Sequence, residues 1–132
     1  MDRIFLDANV LFSASYREDA PLQRLWRLAD VELVTSTYAI QETLANIHRE
    51  EQLERLERLL TEVRVVSAWD HIFLPNDIVL PEKDIPIMQA AIAAGATHLI
   101  TGDKRDFGEH FGQTIAGIEV LRPATYLRRG TR

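Results

Sequence analysis

Two aspartates stand where short apolar segments end. Asp7 directly follows the apolar segment at residues 3–6, and Asp103 follows residues 98–101 after a single glycine, Gly102. In open α/β sheets, ligands bind beyond the carboxyl ends of the strands. If both segments are buried strands, these two carboxylates point toward the place where a ligand binds.

Two further acids accompany the starts of predicted helices. A predicted helix begins after the possible capping residues 35–37, and Glu42 lies on it within about two turns of its start. Asp84 precedes Ile85-Pro86, the opening of an apolar helix. We expect both at the same edge of the sheet. Asp106 is expected to be a support or turn residue, with a lesser chance of binding metal directly.

Four clustered carboxylates suit divalent metal. They repel one another and raise each other's pKa unless a cation compensates. Oxygen ligands without His or Cys favour Mg²⁺ or Mn²⁺. One or two such ions can activate water, neutralise a phosphodiester and stabilise its leaving oxygen. The pattern therefore predicts metal-assisted hydrolysis of a phosphodiester.

Each acid also has an ordinary structural interpretation. Asp7 and Asp84 could cap helices, Glu42 could be a solvated charge, and Asp103 could belong to a turn. The net charge of −5 is unfavourable for binding nucleic acid by bulk electrostatics. Metal held between the acids and an anionic substrate would remove that objection.

Other chemistries lack their motifs. The sequence contains no cysteine, which excludes thiolate catalysis and disulfides. It has no Walker A loop, no Gly-x-Gly-x-x-Gly loop and no nucleophile elbow. Asp7-Ala8-Asn9 lacks the second aspartate of a haloacid-dehalogenase-type phosphatase. The histidines show no metal-binding spacing; they are His48, His71, His98 and His110.

The elements that must position these acids alternate between strand and helix. This alternation predicts a mostly parallel sheet with helices on both faces. We expect Asn9 to cap the first helix and a helix to begin at residues 19–21, with Ala29 on its buried stripe. The predicted strands are residues 3–6, 31–34, 63–66, 98–101 and 118–121.

The length of 132 residues favours one domain spanning residues 1–132. We expect residues 128–132 to be disordered, because chain termini commonly are. No apolar segment approaches the ~20 residues needed to cross a bilayer. A cytoplasmic protein without membrane contact is the expectation.

Four segments, in this order, resemble a PIN domain, and more narrowly the toxin (VapC-like) component of bacterial toxin–antitoxin pairs. The resemblance covers nearly the whole chain, as far as Pro123. The segments are residues 5–11, residues 35–42 with Asn46, residues 81–87 and residues 101–107.

The resemblance implies a three-layer α/β/α fold with a five-stranded sheet and metal-dependent ribonuclease activity. It also implies a homodimer inhibited by a small antitoxin protein. By position, the family's acidic site corresponds to Asp7, Glu42, Asp84 and Asp103, with Asp106 as a more variable acid and Asn9, Asn46 and Thr101 as polar supports.

Rival functions remain open. One is a housekeeping RNA-processing nuclease of the same fold, and another is a non-catalytic module that binds metal or RNA. A phosphoacceptor signalling domain ranks last, because residues 65–68 offer no aspartate after the third strand. Lys104 and Arg105 are candidates for contacting backbone phosphates of RNA.

Overall fold

The computed structural model describes residues 1–103 and 107–130 and has a central, mostly parallel sheet flanked by helices. In this part of the chain the sheet has six strands in the order β3-β2-β1-β4-β6-β5, with only β5 antiparallel to its neighbour. The strands are β1 (Asp2–Leu6), β2 (Val31–Ser36), β3 (Arg64–Val66), β4 (His98–Ile100), β5 (Thr114–Ile115) and β6 (Ile118–Leu121).

The expectation of five strands was wrong by one. All five predicted strands are present, and β5 is added as the first arm of a hairpin with β6. Ala116 and Gly117 make its two-residue turn with φ of 52° and 81°, as hairpin turns of the primed type require. Two residues are too short for a strand pattern, and alanine at positive φ is uncommon, so the sequence offered little signal.

The helices largely follow the predicted alternation. The segment after Ala20 forms a 3₁₀ helix instead of the predicted α-helix, and Ala29 is exposed instead of buried. The α-helices that lie wholly within the described residues are α1 (Ala8–Ser15), α2 (Thr37–Asn46), α3 (Glu50–Leu60), α4 (Ile85–Ala93) and α5 (Pro123–Gly130), and the 3₁₀ helices there are Pro21–Arg27, Glu82–Asp84 and Gly108–His110.

Residues 128–130, which were expected to be disordered, are placed in helix α5. Helix α5 continues to Gly130, and the Arg129 guanidinium makes two 2.9 Å hydrogen bonds to the Glu119 carboxylate. Thr131 and Arg132 lie outside the described residues. This ion pair ties helix α5 to β6.

Strand β1 lies at the point where the order of strands reverses. The chain proceeds outward from β1 to β2 and β3 on one side, then returns to place β4 on the other. Such a switch point opens a crevice at the carboxyl ends of the two strands. Asp7 leaves β1 at this point, and its backbone N–H donates to the Ile100 carbonyl of β4 at 3.1 Å.

The core beneath the crevice is apolar and fully buried. Phe5 of β1, Leu99 of β4 and Met88 of α4 are all 0% exposed. Gly95 follows Ala94, the C-cap of α4, with φ of 69°, the left-handed conformation that glycine commonly adopts just after a helix. Within residues 1–103 and 107–130, no helix is long and apolar enough to span a membrane.

Candidate functional site

A cavity of about 460 Å³ lies where β1 and β4 end. All four acids selected from the sequence line it, and each comes from a different segment. Asp7 follows β1, Glu42 lies on α2, Asp84 precedes α4 and Asp103 follows β4. Proximity therefore arises from the fold, since these residues are far apart in the chain.

Asp7 both caps a helix and lines the cavity. Its Oδ1 accepts a 2.7 Å hydrogen bond from the Ala8 backbone, and it is the N-cap of α1. The prediction that Asn9 caps this helix was wrong. Asp7 Oδ2 accepts from Thr101 Oγ1 at 2.8 Å and from Asn9 Nδ2 at 3.4 Å. Asp7 is only 4% exposed, so these bonds define its orientation.

Thr101 and Asn9 join the ends of β1 and β4. Thr101 Oγ1 accepts from Asn9 Nδ2 and from the Asp103 backbone N–H, both at 3.1 Å. Asn9 Oδ1 accepts from the Gly102 N–H at 2.7 Å. A Cβ at Gly102 would lie 3.4 Å from Asn9 Oδ1, in ordinary van der Waals contact. The network holds Asp7 and the Asp103 backbone in one rigid unit.

Glu42 and Asp84 reach the cavity from the helical layer. Thr43 Oγ1 donates to the Ala8 carbonyl at 3.3 Å, which ties the Glu42 segment of α2 to α1. Asp84 is 5% exposed. Helix α4, all of which is described, begins after Asp84 without a capping hydrogen bond to its side chain. Asp84 therefore occupies the N-cap position that its capping interpretation predicts, but its side chain does not make the capping hydrogen bond.

The acids influence one another's protonation. Burial raises the pKa of Asp7; bonds from Thr101, Ala8 and Asn9 oppose the rise, and the charge of Asp103 adds to it. Burial also raises the pKa of Glu42, and the charge of Asp7 adds to this rise. Without a cation, the cavity holds carboxylates that disfavour each other's charge.

Five residues that line the cavity were not selected as site residues from the sequence: Ala8, Phe12, Ser13, Thr43 and Lys83. Lys83 is the only basic side chain among the described residues that line it, and it lowers the pKa of Glu42. Its carbonyl accepts a 2.8 Å hydrogen bond from Tyr38 Oη. The signal available was its place beside Asp84. Phe12 also lines the cavity, and nothing in its spacing distinguishes it from a core aromatic.

The remaining predicted residues divide into two groups. Asn46 lines the cavity, and its side-chain amide donates to the Glu42 backbone carbonyl at 3.0 Å; its supporting role stays a prediction. Asp106, with Lys104 and Arg105, lies outside the described residues. The predicted ligand role of Asp106 therefore stays a prediction.

The residues present fit a hard divalent cation in their donor chemistry. The four acids offer carboxylate oxygens, which Mg²⁺ and Mn²⁺ prefer, around one cavity. Across the described ranges, no three His, Cys, Asp or Glu side chains are close enough as placed to hold an ion. The fit thus lies in ligand type and shared cavity, and binding requires these side chains to converge.

The profile of the PIN domain family matches residues 3–105. The chain belongs to the PIN domain family. This confirms the family that four segments had suggested. No curated protein sequence matches the chain.

Solved structures share the fold at low sequence identity. VapBC2 from Rickettsia felis, bound to a DNA fragment from the promoter, gives a TM-score of 0.65 at 15% identity, covering 91% of this chain and 98% of that one. VapBC-1 from nontypeable Haemophilus influenzae gives a TM-score of 0.55 at 17% identity, covering 92% of this chain and 98% of that one. Mycobacterium tuberculosis VapC20, a Sarcin-Ricin loop cleaving toxin, gives a TM-score of 0.53 at 20% identity, covering 76% of this chain and 91% of that one.

Proposed function

We propose that this protein is a metal-dependent ribonuclease that hydrolyses phosphodiester bonds of single-stranded RNA as the toxin of a toxin–antitoxin pair. The observation that carries the proposal is the acid-lined cavity between β1 and β4, in which burial and a neighbouring acid raise the pKa of Asp7 and of Glu42. Membership of the PIN domain family supports it.

The acids divide into two kinds of ligand in this proposal. Asp7 and Asp103, at the ends of adjacent strands, hold Mg²⁺ or Mn²⁺ directly. Glu42 and Asp84 bind it through water or hold a second ion. When bound, the ion supplies Lewis acidity that lowers the pKa of water and offsets the charge of the phosphodiester.

The protein's own groups orient the reaction. Thr101 and Asn9 hold the Asp7 carboxylate in place through bonds of 2.8 and 3.4 Å. A carboxylate of the site takes the proton of the attacking water as the new P–O bond forms. The old P–O bond then breaks, its oxygen takes up a proton from solvent water, and the carboxylate releases its proton to solvent. Lys83 brings a positive charge to the same cavity and suits a phosphate oxygen.

The proposed partners are inferred from similarity to known proteins. Two solved neighbours are VapBC assemblies, and a third is a toxin that cleaves the Sarcin-Ricin loop. They support a small antitoxin as the protein partner, RNA as the substrate and a place in the cytoplasm. A homodimer follows from the resemblance of the sequence to this group of toxins.

The direct test is cleavage of a mixed single-stranded RNA pool by the purified chain. We expect cleavage with Mn²⁺ and none with EDTA or with Asp103→Asn. Asp77→Asn, which removes an exposed acid elsewhere, is the matched control and should cut normally. If Asp103→Asn cuts as well as wild type, the activity comes from a contaminant or the site is elsewhere.

Thermal unfolding with added Mn²⁺ separates the enzyme from a binding module. An ion present at 100 times its Kd stabilises the folded chain by about 2.7 kcal/mol. We expect this stabilisation in wild type and Asp77→Asn and a smaller one in Asp103→Asn. Stabilisation without cleavage of any RNA would favour the non-catalytic module. Absence of both would overturn the metal site.

A further inference from the structure

Helix α1 carries an aromatic pair that extends from the acid cavity. The rings of Phe12 and Tyr16 lie one turn apart, with centroids separated by 5.7 Å and planes inclined by 54°. Phe12 lines the cavity, whereas Tyr16 is 56% exposed. With a rise of ~1.5 Å per residue, Phe12 lies roughly 7.5 Å and Tyr16 roughly 13.5 Å along the helix axis from Asp7.

The backbone beneath Tyr16 is held by buried polar side chains of α3. Gln52 Nε2 donates to the Tyr16 carbonyl at 3.1 Å, and Arg55 Nη1 donates to the Ser15 carbonyl at 2.7 Å. Gln52 is 7% exposed and Arg55 is 6% exposed. An exposed aromatic ring on a backbone held in this way is preorganised, so a ligand that covers it loses little conformational entropy.

The surroundings of the pair favour a nucleobase over an apolar peptide. Ser13 and Asn46, both exposed, line the same cavity as Phe12 and offer hydrogen-bonding groups at its rim. Unpaired bases stack on aromatic side chains and present polar edges to such groups. Because every base has a π-face, this binding tolerates many sequences.

We propose that Phe12 and Tyr16 form a stacking platform for unpaired bases next to the phosphodiester that is cut. This inference rests on the proposed ribonuclease function and adds to it the two side chains that hold unpaired bases of the single-stranded RNA. The acids engage the phosphodiester, while the platform holds neighbouring bases along α1. The platform therefore sets which nucleotides around the cut must be unpaired.

The test uses the full chain with Asp103→Asn to prevent cleavage. Binding of a labelled single-stranded oligonucleotide is compared with binding of the same strand carrying abasic sites. Adding Tyr16→Leu should weaken binding of the base-containing strand by at least about fivefold, since stacking of a base contributes ~1–3 kcal/mol. The abasic strand should bind equally to both proteins, because it keeps only the phosphates and sugars.

Three further variants sharpen the result. Tyr16→Trp, which keeps a larger π-face, should preserve binding of the base-containing strand. Phe73→Leu removes an aromatic side chain that is 93% exposed and does not line the cavity, and it should change nothing. Phe12→Leu tests the second ring, with circular dichroism to show that the helix is retained.

Failure of the platform is distinguishable from failure of the ribonuclease. If wild type cuts RNA but Tyr16→Leu and Phe12→Leu bind both strands as the parent does, the platform is overturned and the nuclease stands. If Tyr16→Leu weakens both strands equally, the ring does not recognise bases. If wild type neither binds nor cuts RNA, both proposals fall.

Discussion

The two ends of the sheet treat charge in opposite ways. At the amino end, the Glu119 carboxylate pairs with Arg129 through two 2.9 Å bonds, and Asp2 accepts a hydrogen bond from Tyr126 Oη. At the carboxyl end, Asp7 lines a cavity with three other acids, and the charge of Asp103 disfavours its ionisation. One end neutralises its acids, whereas the other concentrates them.

The pKa shifts record this difference. The Arg129 hydrogen bond lowers the pKa of Glu119, and the Arg64 hydrogen bond lowers the pKa of Glu32. Burial raises the pKa of Asp7 and Glu42. Paired charges at the amino end stabilise the fold, while those at the carboxyl end oppose it until a cation binds. Such uncompensated charge is typical of a functional site.

Strand β4 shows the contrast within one short segment. Its first residue, His98, packs edge-on against Tyr126 with centroids 5.2 Å apart, and its Nε2 lies 3.4 Å from Glu119 Oε1. Beyond its last residue, Thr101 supports Asp7 and Asp103 follows. The same strand therefore ends in a folding contact on one side and a candidate site on the other.

The largest effect should come from Asp103→Asn at the carboxyl end. We expect about a thousandfold loss of RNA cleavage, because a catalytic ion supplies several kcal/mol and each 1.36 kcal/mol is tenfold in rate. In EDTA the free energy of unfolding should stay level or rise, since repulsion with Asp7 is relieved. Single-turnover cleavage and urea unfolding measure the two. A large loss of stability would instead make Asp103 a structural residue.

Thr101→Val should reduce cleavage by about 10–100-fold, as loss of groups that orient metal ligands commonly does. The substitution removes the 2.8 Å bond to Asp7 and so raises the pKa of Asp7 further. Thr97→Val, near the other end of β4, is the matched control. Thr97 bonds to the Arg3 backbone at 2.9 Å, so its loss should affect stability alone. Equal loss of cleavage in both variants would contradict the division between the two ends.

Tyr126→Phe at the amino end should cost about 1 kcal/mol of stability and leave cleavage unchanged. Tyr126 is 5% exposed, and the variant loses only the hydroxyl that donates to Asp2. Tyr16→Phe, which removes an exposed hydroxyl, provides the comparison and should unfold at the wild-type denaturant concentration. A marked drop in cleavage with Tyr126→Phe would mean that the two ends are coupled.

The smallest effects concern pH, and the two ends should differ in sign. Glu42 has a raised pKa, so it binds its proton more tightly when folded, and stability falls as pH rises above 4.5 through the raised value. Glu119 has a lowered pKa, so its contribution is present above 4.5 and is lost as pH falls through the lowered value. In EDTA, the free energy of unfolding of Glu42→Gln should therefore rise relative to that of wild type as pH rises. That of Glu119→Gln should fall relative to wild type over the same change in pH.

Urea unfolding between about pH 3 and about pH 7 measures how the free energy of unfolding of each variant, relative to wild type, changes with pH. Each effect should be below about 1 kcal/mol, because both side chains are partly solvated. Glu54→Gln, an exposed acid on α3, corrects for the general loss of one charge. Slopes of the same sign in the two variants would contradict the contrast between the ends.

Much of the fold was predictable because buried parallel strands are continuous apolar segments. Strands β1, β2, β4 and β6 and the apolar helix α4 followed from such segments. The hairpin strand β5 did not, because two residues carry no periodicity. Residues 21–27 show a helical stripe, yet they form a 3₁₀ helix. An apolar stripe shows which face of a helix is buried. It does not distinguish the α-helix at α4 from the 3₁₀ helix at residues 21–27, because tertiary packing decides between them.

The acids of the site were also predictable, for a topological reason. Parallel strands end at one edge, so Asp7 and Asp103 had to be neighbours if both segments were strands. Lys83 and Tyr16 were not predictable in their roles. Lys83 reaches the cavity through the 3₁₀ turn before α4, and Tyr16 is presented by α1 where α3 holds its backbone. Both depend on contacts between segments distant in the chain.

The order of apolar segments and the acids that follow them determined, from sequence alone, a parallel sheet with carboxylates at one edge. Only the tertiary structure decided which polar partners those carboxylates meet. Asn9 illustrates this: local preference favoured a helix cap, but the approach of β4 directs its amide to Thr101 and its oxygen to Gly102. A buried polar side chain must bond to the groups that surround it, and the whole fold decides which groups those are.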